Sequence, residues 1–164
     1  MLFFYLIVPK GKFTAHEETF MQLAQYWNQA MPLNKLLGLE ITQLNSQESF
    51  VSLVWDNKPI GNPEQKILYG GVTALELDLV GGVVAATNIL TQLAELSPKI
   101  IAQSLSRLST IDLWTDFLRL GRGEKVIATA KIIRRVSKVA VARMEMHNKK
   151  GDYIAFGTGT YMII

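Results

Sequence analysis

The 164-residue chain is 49% hydrophobic and 19% charged, with 12 Gly and 5 Pro, which is the make-up of one globular domain with a sizeable core and excludes a disordered or collagen-like chain. It has no cysteine and only two histidines, His16 and His147, in no metal-ligand spacing, so disulfides and thiolate chemistry are excluded, and neither a metal site nor a cofactor is expected. The net charge of +3 is uneven: residues 119–150 hold ten basic and two acidic side chains, whereas residues 1–118 hold seven basic and eleven acidic ones; such a local field suits a compact polyanion better than a nucleic-acid track.

Met1 to Val8 is almost wholly apolar and is followed by Pro9-Lys10-Gly11-Lys12. It is too short to span a bilayer, and its lysines follow the apolar stretch where a secretory signal needs them before it. It reads as a packed or frayed extension of a soluble, cytoplasmic protein. Thr14-Ala15-His16-Glu17 has the pattern of a capping box, and Phe20, Leu23, Ala24 and Trp27 then recur at helical spacing until Met31-Pro32. His16 precedes Phe20 by one turn, which makes it a helix-start or packing residue. Leu39 to Leu44 and Glu48 to Trp55 read as strands joined by a turn at Asn45-Ser46-Gln47, with Val51, Leu53 and Trp55 on one face.

A polar stretch from Asp56 to Lys66 leads to Tyr69-Gly70-Gly71 and a helical run to about Leu96, stopped by Ser97-Pro98. This helix is apolar nearly all round, so it is predicted to be buried on most sides, and the polar residues inside it argue against insertion in lipid. Four strand-like runs follow: Arg107 to Leu118, Lys125 to Arg134, Lys138 to His147 and Asp152 to Ile163. Ile111, Leu113 and Phe117 share one face, Val126, Ala128, Ala130 and Ile132 another, and Ala140, Ala142, Met144 and Met146 a third. Short links predict an antiparallel meander of all four. About six strands with one apolar face and a single long helix to cover it predict a curved sheet wrapped around that helix, the α+β hotdog architecture, with residues 1–31 as an N-terminal extension and helix and 32–164 as the domain proper.

Within the apolar helix stand two carboxylates, Glu76 and Asp78. Two residues apart, they point to opposite sides and cannot serve one substrate as an acid and base pair. Val72, Thr73, Leu79 and Val80 crowd Glu76, while Ala74, Gly81 and Gly82 leave space around Asp78, so Asp78 is the candidate a ligand can reach. Structural core acids, salt-bridged or hydrogen-bonded, are the competing reading of both. Gly70-Gly71 opens the helix, and backbone N–H groups without Cβ atoms beside them form the outline of an oxyanion hole.

The segment from Asn62 to Asp78, with Tyr69-Gly70-Gly71 and an acid nine residues after Tyr69, resembles the signature of hotdog-fold acyl-CoA thioesterases of the phenylacetyl-CoA thioesterase-like group. Residues 110–113, 117–124 and 139–145 resemble that family's strands after the helix, and the likeness covers roughly residues 32–164. The resemblance implies hydrolysis of an acyl-CoA thioester. Asp78 would be the general base or nucleophile, Gly70 with Gly71 the oxyanion donors, Asn62 the residue orienting water or substrate, and Thr110 a hydroxyl beside the attacking water. Tyr69 stands where the family usually has His, beside the substrate, and Leu120 where Pro is common. Arg119, Arg122, Lys125, Arg134, Arg135 and Lys138 would meet the phosphates of CoA. Hotdog relatives build their sites across a dimer interface, which implies a homodimer or homotetramer. A non-catalytic acyl-CoA-binding protein and an acyl-thioester dehydratase or hydratase are the alternatives, the latter disfavoured because it generally employs a His and none lies between residues 17 and 146.

Overall fold

The computed structural model describes residues 13–54 and 60–163. The Met1 to Val8 extension, Trp55 and residues 56–59 lie outside them. The first helix, α1 (Ala15–Ala30), starts where the sequence places it: the Glu17 N–H donates to Thr14 Oγ1 at 3.2 Å and the Thr14 N–H donates to the Glu17 carboxylate at 2.7 Å. Its Phe20 and Leu23 are buried, and Ala24 and Trp27 pack on the main core. A one-and-a-half-turn helix, α2 (Pro32–Leu37), follows and ends at Gly38 with φ 75°, a left-handed stop that favours glycine.

Strands β1 (Leu39–Leu44) and β2 (Glu48–Val54) form a hairpin. Its turn is held by Asn45 Oδ1, which accepts from the N–H groups of Gln47 and Glu48. A short ribbon of β3 (Ile60–Asn62) and β4 (Ile67–Leu68) leads into the long helix α3 (Gly70–Leu90), and after α4 (Pro98–Leu105) come β5 (Ser109–Phe117), β6 (Lys125–Arg135), β7 (Val139–Asn148) and β8 (Tyr153–Met162). The six-stranded sheet runs β1-β2-β6-β7-β8-β5, antiparallel throughout. Val51 and Leu53 of β2, Val126, Ala128 and Ala130 of β6, and Ala140, Ala142, Met144 and Met146 of β7 are buried with α3 in one core. This is the hotdog arrangement. Helix α3 is long and apolar enough to cross a membrane, but 67% of its most apolar window is buried inside this fold.

Two expectations are corrected. The four last strands do not form one meander: β6, β7 and β8 do, but β5 pairs with β8 at the far edge. Both edges of β6 are already taken, by β2 and β7, so the link after Phe117 crosses the strand ends instead of turning back. That crossing is stitched by the N–H groups of Leu118 and Arg119 on Ile154 O and by the Leu68 N–H on Gly121 O. A Cβ on Gly121 would lie 2.8 Å from Leu68 Cβ, so a side chain there would block the passage. Helix α3 also stops at Leu90 rather than Leu96. Arg135 Nη1 donates to Asn88 O at 2.9 Å and His16 Nε2 lies 3.2 Å from Leu90 O; side chains from β6 and α1 thus take up terminal carbonyls of the helix.

Candidate active site

A β-bulge at Ile111 shapes one side of the site. The register of β5 on β8 shifts between Thr110 and Asp112, and the extra residue lets Thr110 and Leu113, three apart, both face α3. Leu113 packs on the core. Thr110 Oγ1 donates to Asp78 Oδ1 at 2.9 Å. Ile111, expected on the face of Leu113, is the bulged residue and is exposed, whereas Phe117 keeps that face and lies beside Gly70, partly open to solvent.

A second hydroxyl reaches the same carboxylate. Tyr161, almost wholly buried, donates from its phenol to Asp78 O at 3.2 Å and to Asp78 Oδ1 at 3.4 Å. Burial, followed by the neighbouring Asp78 charge, pushes its phenol pKa up, so it remains a donor at ordinary pH. Both hydroxyls bond Oδ1, which leaves Oδ2 without a protein donor among the described residues. Sequence reasoning did not single out Tyr161. Its signal lay in the alternation Gly157, Gly159, Tyr161 on β8: the missing side chains of Gly159 and of Gly81 on α3 are where the Tyr161 ring lies.

Asp78 lines a cleft of about 210 Å³ with Thr110 and Tyr161, walled by side chains of α1 and α3. Glu76 differs completely: it is fully buried, neither carboxyl oxygen has a hydrogen-bond partner among the described residues, and burial pushes its pKa up to about 8. The inner faces of the strands are mainly apolar, and the cation among them, Arg135, bonds Asn88, twelve residues further along α3. His16 and His147 bond elsewhere, to Leu90 O and Asn148 O, so no imidazole serves Asp78.

The oxyanion candidates open onto a different cleft. Gly70 lines one of about 540 Å³ with Thr73, Phe117, Arg119 and Gly121. The N–H groups of Val72 and Thr73 turn back onto Tyr69 O, and those of Gly70 and Gly71 precede them at the positive end of the helix. Eight residues along α3 separate Gly70 from Asp78, a rise of about 12 Å. The amides and the carboxylate of one chain therefore do not converge on one reacting atom.

The remaining candidates are dispersed. Asn62 makes the β3–β4 turn, its Oδ1 accepting from the N–H groups of Glu64 and Gln65. Tyr69 is 59% exposed, and its ring covers Gly71. The six cations occupy opposite ends of the sheet, because β6 alone, from Lys125 to Arg135, is about 33 Å long. Arg119, Arg122 and Lys125 lie at the end where Arg119 lines the Gly70 cleft. Arg134, Arg135 and Lys138 lie at the other, and Arg135 is engaged by Asn88. They do not form one anion site.

The family profile described as the Thioesterase superfamily matches residues 65–155, a stretch that begins just before α3 and ends within β8. The chain belongs to the thioesterase superfamily. Within this superfamily it is 44% identical, over 135 residues, to the Escherichia coli protein named medium/long-chain acyl-CoA thioesterase YigI, a match that covers 81% of this chain and 86% of that one. A crystal structure of a Shewanella oneidensis protein related to the thioesterase superfamily aligns with a TM-score of 0.86 and 40% identity over 91% of this chain and 97% of the other. The E. coli PaaI protein from the phenylacetic acid degradation operon shares the fold, with a TM-score of 0.73 at 18% identity over 92% and 96% of the two chains. The superfamily segment thus contains the glycine pair, Asp78, Thr110 and the crossover, and leaves Tyr161 just beyond it.

Proposed function

We propose that this protein hydrolyses acyl-CoA thioesters to the free acid and CoA, with a site completed by two copies of the chain. The carrying observation is Asp78: a carboxylate held through one oxygen by Thr110 and Tyr161 and lining a largely apolar cleft, in a chain 44% identical to a protein named for this activity. Asp78 takes a proton from water as the hydroxide adds to the thioester carbonyl carbon. The charge that develops on the carbonyl oxygen is met by a Gly70 N–H at a helix start. The C–S bond then breaks, and the thiolate recovers the proton from Asp78.

Pairing through β5 resolves the separation of about 12 Å between these groups. This strand is the open edge of the sheet and exposes Ile111, Trp114 and Phe117; the opposite edge is closed, because the Asn28 side-chain amide bonds both the N–H and the C=O of Ile41 on β1. Thr110 stands beside Asp78 at one end of β5, and Phe117 beside Gly70 at the other. Antiparallel pairing of β5 with its copy about a two-fold axis brings Asp78 next to the partner subunit's Gly70. The larger cleft at that Gly70, with Arg119 lining it and Arg122 and Lys125 nearby, suits the phosphates of CoA. Cytoplasmic residence fits a CoA substrate.

Release of free thiol from octanoyl- and palmitoyl-CoA tests the reading. Turnover by the wild type and its loss in Asp78→Asn with unchanged unfolding midpoint are expected; equal turnover by Asp78→Asn contradicts it.

A further inference from the structure

Glycine inside a helix costs stability relative to alanine, so each of two consecutive glycines in the middle of α3 calls for a reason. Gly81 has one in the fold: the Tyr161 ring occupies the place where its side chain would be. Gly82 has none. A Cβ built there would meet only Tyr161 Cε1, at 3.8 Å, an ordinary contact. Packing therefore tolerates a methyl group at residue 82, and the sequence nevertheless places glycine there.

That space belongs to the cleft that Asp78 lines. Gly82 lies one turn after Asp78 on the same face of α3, and the cleft continues along Leu79 and Val83 of the helix, Leu108 ahead of β5, and Trp27 and Met31 of α1 and its end. Its polar atoms are gathered at Asp78, Thr110, Ser109 and Tyr161. A thioester whose carbonyl stands at Asp78, with CoA directed to the partner's basic cleft, has its acyl chain on the side of these apolar walls. We propose that this cleft takes the acyl chain and that Gly82 sets the chain length it admits, with Trp27 and Met31 bringing the N-terminal helix into substrate selection. This rests on the thioesterase reading and adds to it the residue that discriminates among acyl groups.

The test is kcat/KM for acetyl-, octanoyl- and palmitoyl-CoA with wild type, Gly82→Ala, Gly82→Leu and Met31→Trp, together with the unfolding midpoint of each. Every methylene kept out of an apolar cleft costs about fourfold. Gly82→Ala is expected to lower the palmitoyl-to-acetyl ratio about fourfold while raising the midpoint by about 2–4 °C, as a helix-favouring exchange does. Gly82→Leu and Met31→Trp, narrowing the cleft from two walls, are expected to lower that ratio at least about tenfold. A gain in stability joined to a loss of long-chain preference is a combination that a packing role does not produce. Wild-type turnover with a ratio unchanged in Gly82→Ala and in Met31→Trp overturns the inference and leaves the thioesterase reading standing. No turnover of any of the three by the wild type fells both.

Discussion

Two carboxylates two residues apart on α3 have opposite surroundings, and each yields a test. Asp78 accepts from Thr110 and Tyr161 at a cleft, and Asp78→Ala is expected to lower kcat about 10²–10⁴-fold in a thiol-release assay, the range for loss of a positioned base. Glu76 is fully buried with neither oxygen partnered, and its carboxyl pKa is raised from 4.5 to about 8 by burial. Below pH 4.5 it is protonated in both folded and unfolded chains. Between 4.5 and about 8 only the unfolded chain ionises, so stability falls as pH rises, by up to about 1.4 kcal/mol per pH unit, and levels off above the folded pKa. Glu76→Leu removes both the orphaned carboxyl and that slope. Urea unfolding from about pH 5 to about pH 9 should show the variant gaining on the wild type as pH rises; a constant difference across the range contradicts this account of Glu76.

At the scale of elements, α3 is held by reciprocal shape as much as by apolar area. Gly81→Ala drives a methyl into the Tyr161 ring and is expected to cost about 1–3 kcal/mol in urea unfolding, whereas Gly82→Ala one residue on is not destabilising; equal costs at the two positions contradict the distinction between them. Patterns of this local kind were legible in the sequence. The Thr14–Glu17 cap, the Asn45 turn, the alternating faces of β6 and β7 and the all-round apolarity of α3 each depend on residues within a turn or two of one another. What the sequence concealed is non-local. Two of the last carbonyls of α3 are met by His16 and Arg135, 74 and 47 residues away, as well as by local donors, and the partner of β5 is set by which strand edges remain open. The bulge at Ile111 leaves no mark in an alternation count, yet it is what turns Thr110 to Asp78. Tyr161 was hidden for the same reason: its meaning depends on glycines in β8 and α3 together.

At the scale of the whole molecule, one chain presents Gly70 and Asp78 at separate clefts, together with one open sheet edge that exposes apolar side chains. A long exposed edge strand of this kind invites pairing with another chain. Trp114, 67% exposed near the middle of β5, should lie close to the two-fold axis, so Trp114→Asp is expected to give monomers by sedimentation and to lose thioester hydrolysis with them; an active monomer contradicts a shared site. The decisive measurement combines two inactive variants. Gly70→Pro removes the candidate N–H at the first helical position, where proline is tolerated, after a residue at φ −64° and ψ 128° that suits it. Asp78→Asn removes the base. Each alone should be nearly inactive; unfolded and refolded together in equal amounts, half the dimers pair one of each and carry one intact site, so about a quarter of wild-type activity should return. No recovery from the mixture, with heterodimers demonstrably formed, would contradict a site assembled from Asp78 of one subunit and Gly70 of the other.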